Sequence, residues 1–117
     1  MESIVYDKAF CFAVRTVNLY KYLTTSKKEY AMSNQVLRSG TSIGANIKEA
    51  LQAQSKRDFL SKMNIALKEA SETEYWLELL IQTNYIDKEQ STSILNDCKE
   101  LNKILIAIVK TTKDSLK

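Results

Sequence analysis

Three observations predict an all-α fold, an antiparallel up-down-up-down four-helix bundle. The 117 residues contain no proline and only two glycines, a composition that suits long uninterrupted helices and not a turn-rich sheet protein. Apolar residues recur at steps of three and four through four long stretches, the spacing of one helix face. The corners between most of those stretches are brief, and brief corners join antiparallel neighbours. A chain of this length forms a single domain over residues 1–117, large enough to bury about two-thirds of its unfolded surface.

The first helix is expected from about Asp7, its N-cap, to Thr24. Phe10, Ala13, Val17 and Tyr20 make one apolar row, and Ala9, Phe12, Thr16, Leu19 and Leu23 make a second. Lys8, Arg15, Asn18 and Tyr22 are left as a narrow polar strip. A bundle helix needs to bury a stripe of only ~100°, so this helix has apolar surface to spare. A monomer would expose it as a patch larger than the roughly few hundred Å² that soluble monomers tolerate, which predicts a homo-oligomer.

Thr24 to Asn34 reads as the one lengthy connection, with capping-box spacing at Ser26-x-x-Glu29. Tyr30 and Met32 are expected to fold onto the bundle end, with Ser33 as a cap for the second helix. That helix places Val36, Gly40, Ile43, Ile47, Ala50 and Gln54 on one face and Gln35, Arg38, Ser42, Asn46 and Glu49 on a row beside it. Gly40 and Gly44 should each cost on the order of 1 kcal/mol relative to alanine inside a helix. Close approach of a neighbouring helix would compensate, because a position without Cβ admits another backbone; a merely tolerated glycine pair is the alternative.

The second corner falls at Gln54-Ser55-Lys56, where Ser55 caps and Asp58 sits near the positive helix end. The third helix then runs from Lys56 to about Thr83, roughly 40 Å, with Phe59, Met63, Ala66, Ala70, Leu77 and Leu80 facing inward. Asn84 suits a left-handed C-terminal position. Asp87-x-x-Gln90 has capping-box spacing, and Ile94, Cys98, Leu101, Leu105, Ile108 and Thr112 follow at steps of 4, 3, 4, 3 and 4 as a bundle seam.

The chain contains no histidine, which removes Ser-His-Asp and Cys-His catalysis, the usual zinc sets and the Glu-x-x-His pairs of di-iron bundles. Gly40 and Gly44 lie inside a helix and make no phosphate loop. Neither an enzyme nor a bound cofactor is expected. Glu69, Glu72, Glu74 and Glu78 crowd the third helix and could be read as a carboxylate metal site, but nothing else metal-binding accompanies them. The preferred reading is a structural polar network, in which Glu69 or Glu72 accepts from Arg38 or Asn46, with Glu49 on the same row. Of the adjacent Tyr75 and Trp76, one is expected to complete the core and the other to reach an edge, where an exposed ring could in principle stack on a base.

Cys11 and Cys98 lie in apolar patterns without C-x-x-C spacing and are expected to be buried thiols in a reducing cytoplasm. The N-terminal MESIVYDKAF lacks the character of a signal peptide, and no apolar run approaches the ~18 residues of a membrane span, so a cytoplasmic protein with no membrane partner is expected. A net charge of +3 is only mildly basic. From Lys103 onward, Lys103, Lys110, Lys113 and Lys117 face only Asp114, so this end carries the whole excess. Lysines there also suit a helix C-terminus and solubility, so charge alone does not decide.

Between residues 35 and 80 the chain carries Gln35-x-x-Arg38-Ser39-Gly40-x-Ser42-Ile43-x-x-Asn46-Ile47-x-Glu49-Ala50, then Ser55-x-x-Asp58-Phe59, then Ile65-Ala66-x-x-Glu69-Ala70-x-Glu72-x-Glu74. This pattern resembles the bacterial four-helix-bundle family of 23S rRNA intervening-sequence proteins, also labelled S23 ribosomal proteins. Lys48 and Ala50 depart from it, standing where many members have a small residue and a glycine. The family occurs as reading frames inserted in ribosomal RNA genes, and a related branch comprises pentameric accessory proteins of diversity-generating retroelements that bind nucleic acid and a reverse transcriptase. The resemblance therefore implies a pentameric ring associating with RNA or DNA or with a nucleic-acid enzyme; the alternative is a helical scaffold that binds only itself or protein partners. A pentamer would multiply the charge to about +15 around one rim or channel. Candidate nucleic-acid-binding residues are then Lys103, Lys110 and Lys113, with Lys56 and Arg57 at the corner between the second and third helices.

Overall fold

The computed structural model describes residues 3–117 and contains four helices: α1 (Ile4–Thr25), α2 (Ala31–Leu51), α3 (Lys56–Gln82) and α4 (Lys88–Ser115). Each packs on the next, and α1 meets α4 to close an antiparallel bundle 48 Å long and about half as wide. The α1–α4 seam is the sparsest of the four. The core runs along the bundle axis through Phe12, Leu23, Ile43, Ile47, Met63 and Leu77, with Leu101 and Leu105 supplied by α4. Burying that apolar face, and not helix propensity, stabilises helices of this kind.

Local chemistry moves several element boundaries from their expected places. α1 begins at Ile4, not Asp7, because the Ser3 side chain accepts from the Tyr6 N–H and caps the helix earlier. α2 begins at Ala31. Ser33 is not its cap: the Glu29 carboxylate accepts from the Ala31, Met32 and Ser33 N–H groups, at 3.2, 3.1 and 2.7 Å, while the Ser33 hydroxyl donates to the Glu29 carbonyl. A carboxylate satisfies several orphan donors at once, and its charge favours the positive helix end. Ser26 is the C-cap of α1 and takes no part in a capping box, and Tyr30 is exposed while Met32 packs against the core.

At the other corners the side chains behave as their types suggest. Ser55 accepts from the Asp58 N–H at 3.1 Å, and Asp87 accepts from the Glu89 N–H at 2.7 Å. After α3, Asn84 adopts φ 64°, and the Asn84 and Tyr85 N–H groups return to the Ile81 and Leu80 carbonyls, a paired closure that satisfies the last turn. In α4 the buried seam ends on Val109, with Ile108 and Thr112 half-buried. A 3.6-residue helix drifts ~20° per heptad, so after two heptads the inward position shifts by one residue.

Cys98 is buried but Cys11 is exposed. Cys11 lies outside the row formed by Ala9, Phe12 and Thr16, on the side of α1 that faces the thin seam with α4. Of α1's two apolar rows, the one with Ala9, Phe12, Thr16 and Leu23 enters the core. In the other, Phe10 is 57% exposed while Ala13, Val17 and Tyr20 are half-buried, and Val14 beside it is 47% exposed.

The glycines of α2 mark its approach to α1. A Cβ on Gly40 would stand 2.5 Å from Thr16 Cγ2, and Thr16 is fully buried with its hydroxyl donating to the Ala13 carbonyl. Gly44 differs: a Cβ there would meet Ala9 at 3.7 Å, ordinary contact, so only Gly40 needs to be glycine.

Candidate nucleic-acid interface

The bundle treats its cations in two ways. Between α2 and α3, Arg38 donates to Glu69 at 3.2 Å and to Glu72, while Gln35 accepts from the same guanidinium. Glu72 also accepts from the Trp76 indole N–H at 2.9 Å, which fixes that ring against the core. Asn46 does not join this set; it donates to the Ser42 carbonyl one turn back, because a short amide on a helix flank reaches its own backbone first. Glu49 pairs separately with Lys62 at 3.2 Å. Across the α1–α4 seam, Lys8 pairs with Glu100 and Arg15 with Asp97, both at 2.5 Å. Glu100 holds the Lys8 ammonium above its ordinary pKa, first by hydrogen bonding and then by charge.

The outer face of α3 and α4 is different. Lys99, Lys103, Lys110 and Lys113, at steps of 4, 7 and 3, share one side of α4 and are exposed. On α3, Arg57, Asn64, Lys68 and Tyr75, at steps of 7, 4 and 7, form an exposed outward ridge. None of the basic residues on these two rows, nor Lys56, comes within 4.0 Å of a described carboxylate. Antiparallel packing also places Lys56 and Arg57, at the start of α3, at the same end of the bundle as Lys110 and Lys113. The two clusters that sequence order separates are one basic end. Lys68 and Lys99 extend it; Lys99 was legible as the position one turn before Lys103, whereas Lys68 joins only through the packing of α3 on α4.

Where this face ends, polar side chains bridge α3 and α4. Asn102 is buried in α4, donates to the Glu74 carboxylate at 3.0 Å and accepts from Ser71 at 3.2 Å. Burial raises the Glu74 pKa above the usual carboxylate range, the neighbouring Glu78 raises it further, and Lys99 and Asn102 oppose the shift. Beneath them the Cys98 thiol lies 3.4 Å from the Ala70 carbonyl, and burial pushes its pKa up to about 12, so it stays protonated and inert. Among the described residues no group of three or more His, Cys, Asp or Glu side chains is placed to hold a metal ion. Trp76 completes the core, while Tyr75 is 57% exposed with its ring 4.9 Å from the indole in an edge-on arrangement. No helix among the described residues is long and apolar enough to cross a membrane.

Fold and surface together define an all-α four-helix bundle with an exposed row of lysines along α4. The model of the 23S rRNA-intervening sequence protein family matches residues 1–107, and the chain belongs to that family. A crystal structure of a protein of unknown function from the S23 ribosomal protein family of Bacteroides thetaiotaomicron is similar to it at 66% sequence identity and a TM-score of 0.90, covering 92% of this chain and 99% of that one. No curated protein matches the chain.

Proposed function

We propose that this chain is a non-enzymatic, ring-forming helical protein that associates with nucleic acid or with an enzyme that acts on it. The observation that carries the reading is the alignment of Lys99, Lys103, Lys110 and Lys113 along one exposed side of α4, none within 4.0 Å of a described carboxylate. Unpaired cations along one helix face form an electrostatic footprint for phosphates. Self-association is supported by the exposed α1 row, where Phe10 and Val14 stand beside the half-buried Ala13 and Val17. By analogy with the pentameric accessory proteins of diversity-generating retroelements, five copies would repeat the basic face around a ring in the cytoplasm.

Two measurements test this reading. Light scattering at micromolar concentration should give an oligomer mass, and a clean monomer mass would end the ring. Titration with labelled RNA and DNA at increasing salt should show binding that weakens steeply, because phosphate contacts release counterions while apolar contacts do not. Binding of protein partners alone, with no salt-sensitive affinity for either nucleic acid, would favour a helical scaffold instead.

A further inference from the structure

Which nucleic acid this face suits follows from what lies among its cations. From Lys99 to Lys113 is 14 helical steps, about 21 Å of α4 at 1.5 Å per residue. Ile106, at steps of three and four from Lys103 and Lys110, lies in that row and is 54% exposed. On α3, Glu74 is bonded to Asn102, so the next residue, Tyr75, stands near the level of Lys99 on the outward ridge, with its ring leaning on Trp76. The same antiparallel register sets Lys68 near Lys103 and Arg57 near Lys113. Glu78, exposed and one turn beyond Tyr75, closes the basic face at that end.

A duplex presents only phosphates and sugars to a flat helical face, so an exposed isoleucine among the lysines and an exposed tyrosine on the neighbouring ridge would gain nothing from it. A single strand differs, since its unstacked bases carry apolar faces that cover such side chains while the phosphates follow the cations. We infer that the α3–α4 face binds single-stranded nucleic acid, with phosphates along Lys99, Lys103 and Lys110 and a base stacked on Tyr75. This rests on the nucleic-acid reading above and adds the strandedness and the stacking residue. Tyr75 is held for that role by its contact with Trp76, whose own ring is anchored through Glu72.

The test uses the full chain with a fluorescein-labelled oligothymidine and a duplex of the same length. The single strand should bind more tightly, and Tyr75→Ala should weaken it about tenfold, the scale of removing one base-aromatic stack. Tyr75→Phe should retain the affinity, and neither change should alter the salt slope, because every phosphate keeps its cation. Trp76 is the only tryptophan, so binding should also change its emission, an effect absent in Tyr75→Ala. If changing Lys99, Lys103 and Lys110 to glutamine weakens binding but Tyr75→Ala does not, or if the duplex binds as tightly, this inference fails and nucleic-acid binding survives. If neither probe binds, both fail. Loss of assembly or of melting temperature in both Tyr75 variants would place the ring in an interface or the core and overturn its role as a stacking platform.

Discussion

α2 and α4 are amphipathic helices of similar character, yet α2 uses its flanks to hold the bundle and α4 leaves an outer flank without partners. Toward α1, α2 presents Gly40 at a contact too close for a Cβ. Toward α3 it presents Ser39, which accepts from the buried Thr73 hydroxyl at 2.8 Å, and Arg38, shared between Glu69 and Glu72. α4 gives its apolar seam and Asn102 to α3, and Asp97 and Glu100 to α1, but its lysine row meets no carboxylate among the described residues. The contrast teaches that helical periodicity identifies buried faces equally well on both, while charge becomes informative only when pairing is known. Arg38 on α2 is paired, as its place beside Glu69 and Glu72 predicts, while the α4 lysines lie more than 4.0 Å from any described carboxylate, a state they share with Lys21, Lys27, Lys28, Lys48 and Lys88.

The largest expected effect lies on α2. Gly40→Leu should destabilise the protein by about 3 kcal/mol, the upper part of the overpacking range, since Thr16 is buried and cannot swing aside. Gly40→Ala should also lower the melting temperature despite alanine's better helix propensity, and Thr16→Ser, which removes the Cγ2 atom in the way, should recover part of that stability. Gly44→Ala is the internal control, expected to be neutral or stabilising by up to ~1 kcal/mol. Equal effects of alanine at both glycines would erase the distinction between them.

Next in size, Arg38→Ala should cost about 0.5–1 kcal/mol in denaturant unfolding, because it strips a charge-assisted partner from Glu69 and Glu72, whose side chains are 18% and 35% exposed, while the half-exposed Arg38 leaves the pairs partly screened by solvent. The Trp76 environment should change with it, because Glu72 anchors the indole. A thermodynamically silent Arg38→Ala would make α2's polar flank as idle as α4's.

Glu74→Gln should be mildly stabilising at neutral pH, by about 0.2–0.5 kcal/mol, since it removes a like-charge pair with Glu78 while keeping an acceptor for Asn102. The Glu74 pKa is raised in the folded state, so its ionised form penalises folding as pH rises through that pKa and the penalty vanishes on acidification. The advantage of the glutamine variant should therefore disappear when melting is measured below the carboxylate range; an advantage that persists there would reflect packing and not charge.

Much of this was legible in the sequence. The four helices, the Ser55 and Asp87 caps, Asn84 and the inward row of α3 all follow from spacing and turn chemistry, because each depends on residues within about one turn of one another. What escaped depends on residues brought together from afar or on a choice between local partners. Glu29 outcompetes Ser33 as the cap of α2 because a carboxylate can take three N–H groups, a geometry that capping-box spacing does not encode. Cys11 sits in an apolar pattern but faces the thin seam. Asn102 reads as an ordinary polar residue, although it lies four residues after Cys98 on the buried side, and its partners are on another helix. The basic end was visible only as two clusters, since nothing in sequence order places Arg57 beside Lys113.

The proposed function requires that α4's lysines contribute nothing to the fold and stay available to a ligand. The most direct measurement combines melting and nucleic-acid titration on the variant with Lys103, Lys110 and Lys113 all changed to glutamine. Melting temperature and assembly mass should equal those of the parent, while affinity for labelled nucleic acid falls and its dependence on salt flattens, by up to roughly 0.7–0.9 in log-log slope for each phosphate that no longer meets a lysine. Unchanged affinity and slope, or a loss of assembly, would contradict it.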